Sequence, residues 1–598
     1  MSKPLELARQ VVVIWRLCWR AGRSLAIAQL ALAVLGGLLP TATAWLTKFV
    51  VDDLVAGRPE AALLAAGGLL LSGVGVGLLP PLSGYLQAEL SRRMDRTMQD
   101  ELYTRINGFQ GLARFESPGF LNELNMAVEA SGGAMRPVTT GLFDAGRTVI
   151  TLVSLLATLS LLSPMMAVLV TVAAVPALFA SLALTKGRVG MMARLSPATR
   201  RRVFYSSLIT DVRGAKETRL FGLGGFLKGR MLSELDVIHE GERGLDRRDA
   251  RTRSLLALLS AVVAGAGLLW AVYAAASGQL SVGDVTAFVA AVAGAQGALV
   301  GLVGSVAMAH HALLLFAYHV KMTSLPDDLP SHAGAVLPPL RTGIELRDVW
   351  FRYDESHPWV LRGVDLTLAH GESLALVGLN GAGKSTLIKL LCRFYDPSRG
   401  TILWDGVDIR DVPPEELRRR MGVLFQDYMS YDLTVAENIG VGDLDALDDR
   451  PRIEAAASRA DIDMAIESLP RGYDTMLSRI FADQDDDRGV TLSGGQWQRL
   501  ALARTLLRDE SDLLILDEPS AGLDAQAEHE IHERLRTHRT GRTSLLVSHR
   551  LGAVREADRI VVLGGGRIVE RGTHDEMITL DGEYARLFAI QADGYRTV

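Results

Sequence analysis

Cysteine is almost missing from this chain: two occur in 598 residues, Cys18 and Cys392. Both fall in segments read below as cytoplasmic, so no disulfide is expected. A basic excess is missing as well. The 63 Lys and Arg against 68 Asp and Glu leave a net charge of -5, and nucleic acid is not an expected partner. A cleavable signal is also lacking. Between Met1 and Arg23 the arginines at 9, 16, 20 and 23 are interleaved with Val11, Val12, Val13, Ile14, Trp15, Leu17 and Trp19, and no small-residue cleavage site follows. This stretch reads instead as an amphipathic helix on the inner membrane surface, leading into a first span.

What the first half does have is long apolar runs. Six approach the roughly 20 residues needed to cross a bilayer: Ser24–Thr47, Ala61–Leu82, Gly141–Leu162, Met165–Thr185, Ser254–Ala276 and Val282–Ala309. Six such runs in one half are too much apolar surface for the core of a soluble protein. The long connections Gln87–Thr140 and Lys186–Arg253 carry Arg92, Arg93 and Arg96, then Arg200, Arg201, Arg202, Arg247 and Arg248, while the short connections hold only Arg58. Positive charge stays inside, so both termini and both long connections are placed in the cytoplasm, as in a multi-pass protein of the cytoplasmic membrane. Helical spacing within those connections predicts that the spanning helices continue beyond the bilayer. Breaks at Phe115–Phe120 and Gly214–Gly222 would supply short transverse helices able to touch a cytoplasmic domain, or be solvated kinks. In the last run Gly294, Gly297, Gly301 and Gly304 permit close helix packing. Gln296, His310 and His311 are polar groups for which a substrate contact is the alternative to simple packing or a membrane-edge position.

A stretch rich in Pro, Asp, Ser and Gly between Ser324 and Thr342 divides the chain into a membrane domain, 1–325, a linker, 326–342, and a second domain, 343–598. There Ser373–Val377 reads as a buried strand, Gly378-Leu379-Asn380-Gly381-Ala382-Gly383-Lys384-Ser385-Thr386 follows, and a helix starts behind it. Strand, glycine loop, helix is the context a phosphate cradle needs. Backbone N–H groups around Gly378, Asn380, Gly381 and Gly383 turn inward, the helix N-terminus adds its dipole, Lys384 reaches the β- and γ-phosphates, and Ser385 ligates Mg²⁺. Leu513–Leu516 is a second buried strand that ends in Asp517, a Mg²⁺ holder, and Glu518, placed to polarise the attacking water. A second glycine-rich string, Leu492-Ser493-Gly494-Gly495-Gln496, makes sense only if another copy of the cradle faces it.

On these strings the chain resembles an ATP-binding cassette exporter half-transporter of the subfamily B type. The fold implied is an α-helical transmembrane domain of six spans with long cytoplasmic extensions, followed by an α/β nucleotide-binding domain. The resemblance implies ATP and Mg²⁺ as cofactors and further roles by position. Tyr353 would stack on adenine and Gln426 would sense the γ-phosphate and Mg²⁺. Ser493 and Gly495, in the string that Gln496 completes, would contact the γ-phosphate held by the opposite subunit. Asp524 would link the two sites and His549 would contact the γ-phosphate. The pattern departs from the family where a Gly-Glu-x-Gly segment is usual and this chain has Phe481–Gly489, acidic at 483–487.

The implied activity is ATP hydrolysis coupled to export of an amphipathic substrate, whether peptide, drug or lipid, by alternating access as a homodimer in the lipid membrane. The alternatives are a heterodimeric exporter, an importer on the same fold, and an ATP-gated channel. Charges are sparse at span centres, which argues against small inorganic ions as cargo.

Overall fold

The computed structural model describes residues 3–133, 135–329, 334–478, 490–520 and 525–596. The chain forms two compact units. One comprises 1–106 and 122–325, and the other comprises 107–121 and 326–598.

The first unit is helical: α1 (Lys3–Val55), α2 (Pro59–Asn107), α3 (Pro118–Ser131), α4 (Met135–Leu162), α5 (Pro164–Thr210), α6 (Val212–Leu220), α7 (Gly224–Ala276) and α8 (Val282–Thr323). Among the described residues, α1, α2, α4, α7 and α8 contain stretches long and apolar enough to cross a membrane. The run expected at Met165–Thr185 lies in α5, a helix of 47 residues, some of whose side chains are outside the description. Apolar side chains point outward from these helices, Leu64 with 81 % of its surface exposed. An all-round apolar helix exposed in this way needs lipid around it.

Helix α1 has one break, at Gly22, which separates the arginine-bearing N-terminal stretch from the apolar one. The buried side of that stretch, Ile14, Leu17 and Cys18, packs on Met94, Met98, Met135 and Phe143. Both cysteines are free and buried. Inside the helical unit, several polar groups pair with one another, although Gln29 Oε1 and Asp95 Oδ1 are buried without a hydrogen-bond partner among the described residues. Thr41 meets Ser154 at 2.7 Å, Trp45 donates to Thr158 at 3.1 Å, and Lys48 joins Asp284 at 2.5 Å. Gln296 donates to the Ser260 carbonyl at 2.9 Å, tying α8 to α7. Of the five glycines in α8, Gly283 and Gly294 stand where a Cβ would collide, 2.5 Å from the Lys48 carbonyl and 2.7 Å from Leu155, whereas Gly297 and Gly304 have nothing within 4 Å. The His310 and His311 side chains lie outside the described set.

The second unit is α/β. Strands β1 (Gly343–Phe351), β2 (Leu361–Ala369), β4 (Arg399–Trp404) and β5 (Val407–Asp408) make an antiparallel sheet in the order β2-β1-β4-β5. Strand β3 (Ser373–Val377) belongs to a larger sheet with β6 (Met421–Leu424), β7 (Leu513–Asp517), β8 (Ser544–Val547), β9 (Arg559–Gly564) and β10 (Arg567–Gly572), ordered β10-β9-β3-β8-β7-β6. All its pairs are parallel except the edge pair β10–β9. Parallel strands are covered on both faces, which is why β3, β7 and β8 are continuous apolar runs. One face packs on Leu387, Ile388 and Leu390 of α9 (Lys384–Leu391), and the other on the helical subdomain. That subdomain contains the short helices α11 (Val435–Gly440), α12 (Arg450–Arg459) and α13 (Asp463–Glu467), then α14 (Gly494–Leu506), with α15 (Ala525–Arg539) beyond β7, while α10 (Pro414–Arg419) buries Leu417 on the α9 side. The later part of the proline-rich stretch, 334–342, is docked here: Leu337 and Leu340 are buried, and Trp404 donates to the Pro338 carbonyl at 3.1 Å.

Register brings the carboxyl ends of the strands level. Leu376 pairs with Val547, Asp517 with Val547, and Leu424 with Leu516. The segments leaving β3, β6, β7 and β8 therefore converge on one edge, the usual ligand position of an open parallel sheet. Ile515, fully buried at the middle of β7, should test this framework. Ile515→Ala is expected to lower nucleotide-unit stability by about 2–5 kcal/mol, and Ile515→Val by roughly 1 kcal/mol, read as shifts in thermal unfolding of the detergent-solubilised protein.

Candidate functional site

The loop after β3 turns tightly because glycine allows it. Gly378 has φ +156°, and a Cβ there would lie 2.2 Å from the Leu563 carbonyl; Gly383, the N-cap of α9, has φ +109°. Only residues without a side chain let the backbone approach this closely. The loop and its neighbours enclose an open cavity of about 320 Å³ lined by Val360, Asn380, Gly381, Gly383, Lys384, Ser385, Thr386, Gln426, Asp517, Glu518 and His549. Ten of these eleven are residues the sequence singled out.

Lys384 is buried, and its ammonium donates to the Gly378 carbonyl at 2.7 Å and the Leu379 carbonyl at 3.2 Å. Burial holds its pKa below the usual lysine value, against the pull of Glu518 and Asp517. Asp517 closes β7 and is also buried; burial first, then the neighbouring Glu518, pushes its carboxyl up to about 6, although Lys384 opposes the shift. Glu518 follows in the left-handed backbone region at φ +52°. Its N–H donates to the Val547 carbonyl at 2.8 Å, and its own carbonyl accepts from Gln498 at 2.9 Å. One carboxylate oxygen accepts from the Gln426 amide at 2.9 Å, and the other lies 2.9 Å from His549 Nε2. The carboxylate is thus aimed into the cavity by both neighbours.

Tyr353 stands beside the cavity rather than on its lining, with its hydroxyl 3.0 Å from the Thr386 hydroxyl. Ser493, Gly495 and Gln496 are not part of this cavity. Ser493 caps the N-terminus of α14, accepting from the Gln496 N–H at 3.3 Å, while the Gln496 side chain accepts from the Ser493 N–H at 2.9 Å. This reciprocal box leaves Ser493 exposed at a helix N-terminus. Asp524 and the acidic run at 483–487 lie outside the described residues.

Two contributors had not been singled out from the sequence. Val360 borders the cavity and carries no chemical signal. Gln498 does carry one, because it is a polar residue on the buried face of α14 beside Ala501, Leu502 and Thr505, where a polar group needs a specific partner.

The donor set suits a hard cation with phosphate, since the Ser385 hydroxyl, the Asp517 carboxylate and the Gln426 amide are oxygen donors lining one cavity. Among the described residues no group of three His, Cys, Asp or Glu side chains forms a metal cage of its own.

Comparison with known proteins identifies the family. Residues 361–521 match the family model described as ABC transporter. An ATP-dependent lipid A-core flippase of Chromohalobacter salexigens is 31 % identical over 92 % of this chain and 93 % of its own length. A protein of the same description from Alkalilimnicola ehrlichii is 37 % identical over 65 % of this chain, which spans 64 % of that relative. The solved structure of a bacterial Atm1-family ABC exporter with ATP bound superposes with a TM-score of 0.81 at 25 % identity, covering 95 % of this chain and 98 % of the other.

The raised Asp517 pKa predicts a pH signature. The folded state binds this proton more tightly than the unfolded chain, where the group titrates near 3.8. Its contribution to stability is therefore complete below that value and is lost as pH rises through about 6. In Mg²⁺-free buffer without nucleotide, Asp517→Asn should unfold at a higher temperature than the parent at pH 8, by on the order of 2–3 kcal/mol, with the gap closing as pH falls toward 5.

Proposed function

The chain belongs to the ABC transporter family, carrying its ATPase domain fused to a multi-pass membrane domain, and from that premise we propose that two copies export an amphipathic molecule from the cytoplasm. The observation that carries this reading is the mismatch between two surfaces of one chain. The cavity holding Lys384 and Glu518 is open, and the exposed N-terminus of α14, with Ser493 and Gly495, belongs to a different surface. Head-to-tail packing of two nucleotide units would lay each α14 N-terminus over its partner's cavity, where its N–H groups meet a γ-phosphate.

In this reading Tyr353 stacks on adenine, the glycine loop and Lys384 hold the phosphates, and Asp517, Ser385 and Gln426 would hold Mg²⁺, whose positive charge would offset that of the phosphates. Glu518, oriented by Gln426 and His549, accepts the proton of the attacking water as its oxygen bonds to the γ-phosphorus and the bond to the β–γ bridging oxygen breaks. His549 lies beside the γ-phosphate. Closure of the two nucleotide units on ATP favours an outward-open membrane domain, and hydrolysis resets it. An amphipathic cargo is supported by the predominantly apolar spans with paired hydroxyls inside and by the relatives described as lipid A-core flippases. The cytoplasmic placement of termini and nucleotide unit follows from the arginine-rich long connections.

ATPase activity of the protein in lipid nanodiscs, with and without panels of lipids, amphipathic drugs and peptides, tests the proposal. Glu518→Gln should lower turnover by about 10²-fold or more, and one cargo class should stimulate the parent alone. Turnover that persists undiminished in Glu518→Gln would refute the assignment.

A further inference from the structure

Helix α9 begins with the phosphate-binding residues, and its other end grips a segment from a distant part of the sequence. Asn107–Leu121 connects α2 to α3, yet it belongs to the nucleotide unit. Its backbone is held at Gln110 and Gly111 by Asp328, at 2.9 and 2.8 Å, and its Leu112 N–H donates to the Phe394 carbonyl at 3.1 Å. Arg418 donates to the Gln110 carbonyl at 2.7 Å and to its side chain at 3.0 Å. These contacts fix where the next acid, Glu116, stands.

Both oxygens of Glu116 are used. One accepts from Lys389 of α9 at 2.7 Å and the other from the Tyr395 hydroxyl at 2.5 Å. The same Lys389 ammonium lies over the Tyr353 ring, 5.4 Å from its centroid, and near Tyr395 at 5.9 Å. Tyr353 and Tyr395 meet edge to face at 5.3 Å, and Phe351 packs against both, at 5.0 and 5.4 Å. Tyr353 still keeps 37 % of its surface exposed, leaving part of the ring available to a base.

We propose that Glu116 and Lys389 are positioning residues for nucleotide recognition: Glu116 holds the Lys389 ammonium against Tyr353 and so sets the ring on which the base stacks. An ion pair this exposed adds little stability by itself. Its consequence is geometric. Without Glu116 the lysine is free to extend into solvent, Tyr395 loses its acceptor, and the Tyr353 ring loses both the cation and its fixed neighbour. The connection between α2 and α3 thereby acts on base affinity, while the phosphate cradle at the other end of α9 is untouched. The inference rests on the reading in which Tyr353 stacks on adenine.

The test is the affinity of the full-length, detergent-solubilised protein for Mg·ATP and for Mg·tripolyphosphate, which lacks the base. Parent, Tyr353→Ala, Glu116→Gln, Lys389→Met, Lys389→Arg and the double variant Tyr353→Ala/Glu116→Gln are compared. Glu116→Gln and Lys389→Met should each weaken ATP binding roughly two- to fivefold, with tripolyphosphate unchanged. Lys389→Arg should stay near the parent, and the double variant should lose no more than Tyr353→Ala. If Tyr353→Ala weakens ATP while Glu116→Gln and Lys389→Met do not, the positioning role is overturned and the base site stands. Equal weakening of ATP and tripolyphosphate would mean a purely structural role and also overturns it. If Tyr353→Ala leaves ATP affinity unchanged, the base-site reading falls and the inference falls with it.

Discussion

The Glu518 carboxylate accepts from Gln426 on one side and faces His549 on the other, with its backbone held at φ +52°. A non-glycine residue in that region is strained by about 1–3 kcal/mol and stays there only if its surroundings insist. They do so from three directions: the Val547 carbonyl takes its N–H, Gln498 holds its carbonyl, and the fully buried strand β7 fixes the residue before it. Parallel pairing of β6, β7 and β8 then brings Gln426 and His549 level with it. The remaining site residues arrive by the same geometry, since β3 pairs with the far side of β8 and releases the glycine loop at the same edge.

The membrane unit is organised by the opposite solvent logic. Its helices keep apolar side chains outside and pair several polar ones within the bundle, as Thr41 does with Ser154 and Gln296 with the α7 backbone. Lipid offers no partner to a stray hydroxyl or amide, so those groups pair within the bundle. The nucleotide unit is stabilised instead by two apolar layers on a parallel sheet, and its polar groups gather at one edge where substrate replaces water.

Much of this was legible in the sequence, for identifiable reasons. Phosphate chemistry restricts the residues around Lys384 so tightly that the string from Gly378 to Thr386 could be read directly. Strands β3 and β7 announce themselves as uninterrupted apolar runs, and five of the expected spans coincide with long apolar helices among the described residues. Long-range partners were not legible. The break near Phe115 predicted an interruption, but its acid meets Lys389 and Tyr395, more than 270 positions away, and no local pattern specifies such a pairing. The proline-rich stretch at 326–342 reads as a linker by composition, although Leu337 and Leu340 are core residues. Gly294, Gly297, Gly301 and Gly304 suggest a packing seam, and of these four only Gly294 meets a neighbour closely.

Export as proposed requires that a complete nucleotide site take residues from two chains. Cysteines placed at Asn380 and Ser493 test it, since native Cys18 and Cys392 are buried and can be replaced by serine. With Mg·ATP in a Glu518→Gln background, oxidation should convert the protein to a covalent dimer, and neither single-cysteine variant should do so. Failure to form that dimer with ATP bound, or a link formed within one chain, would contradict the account.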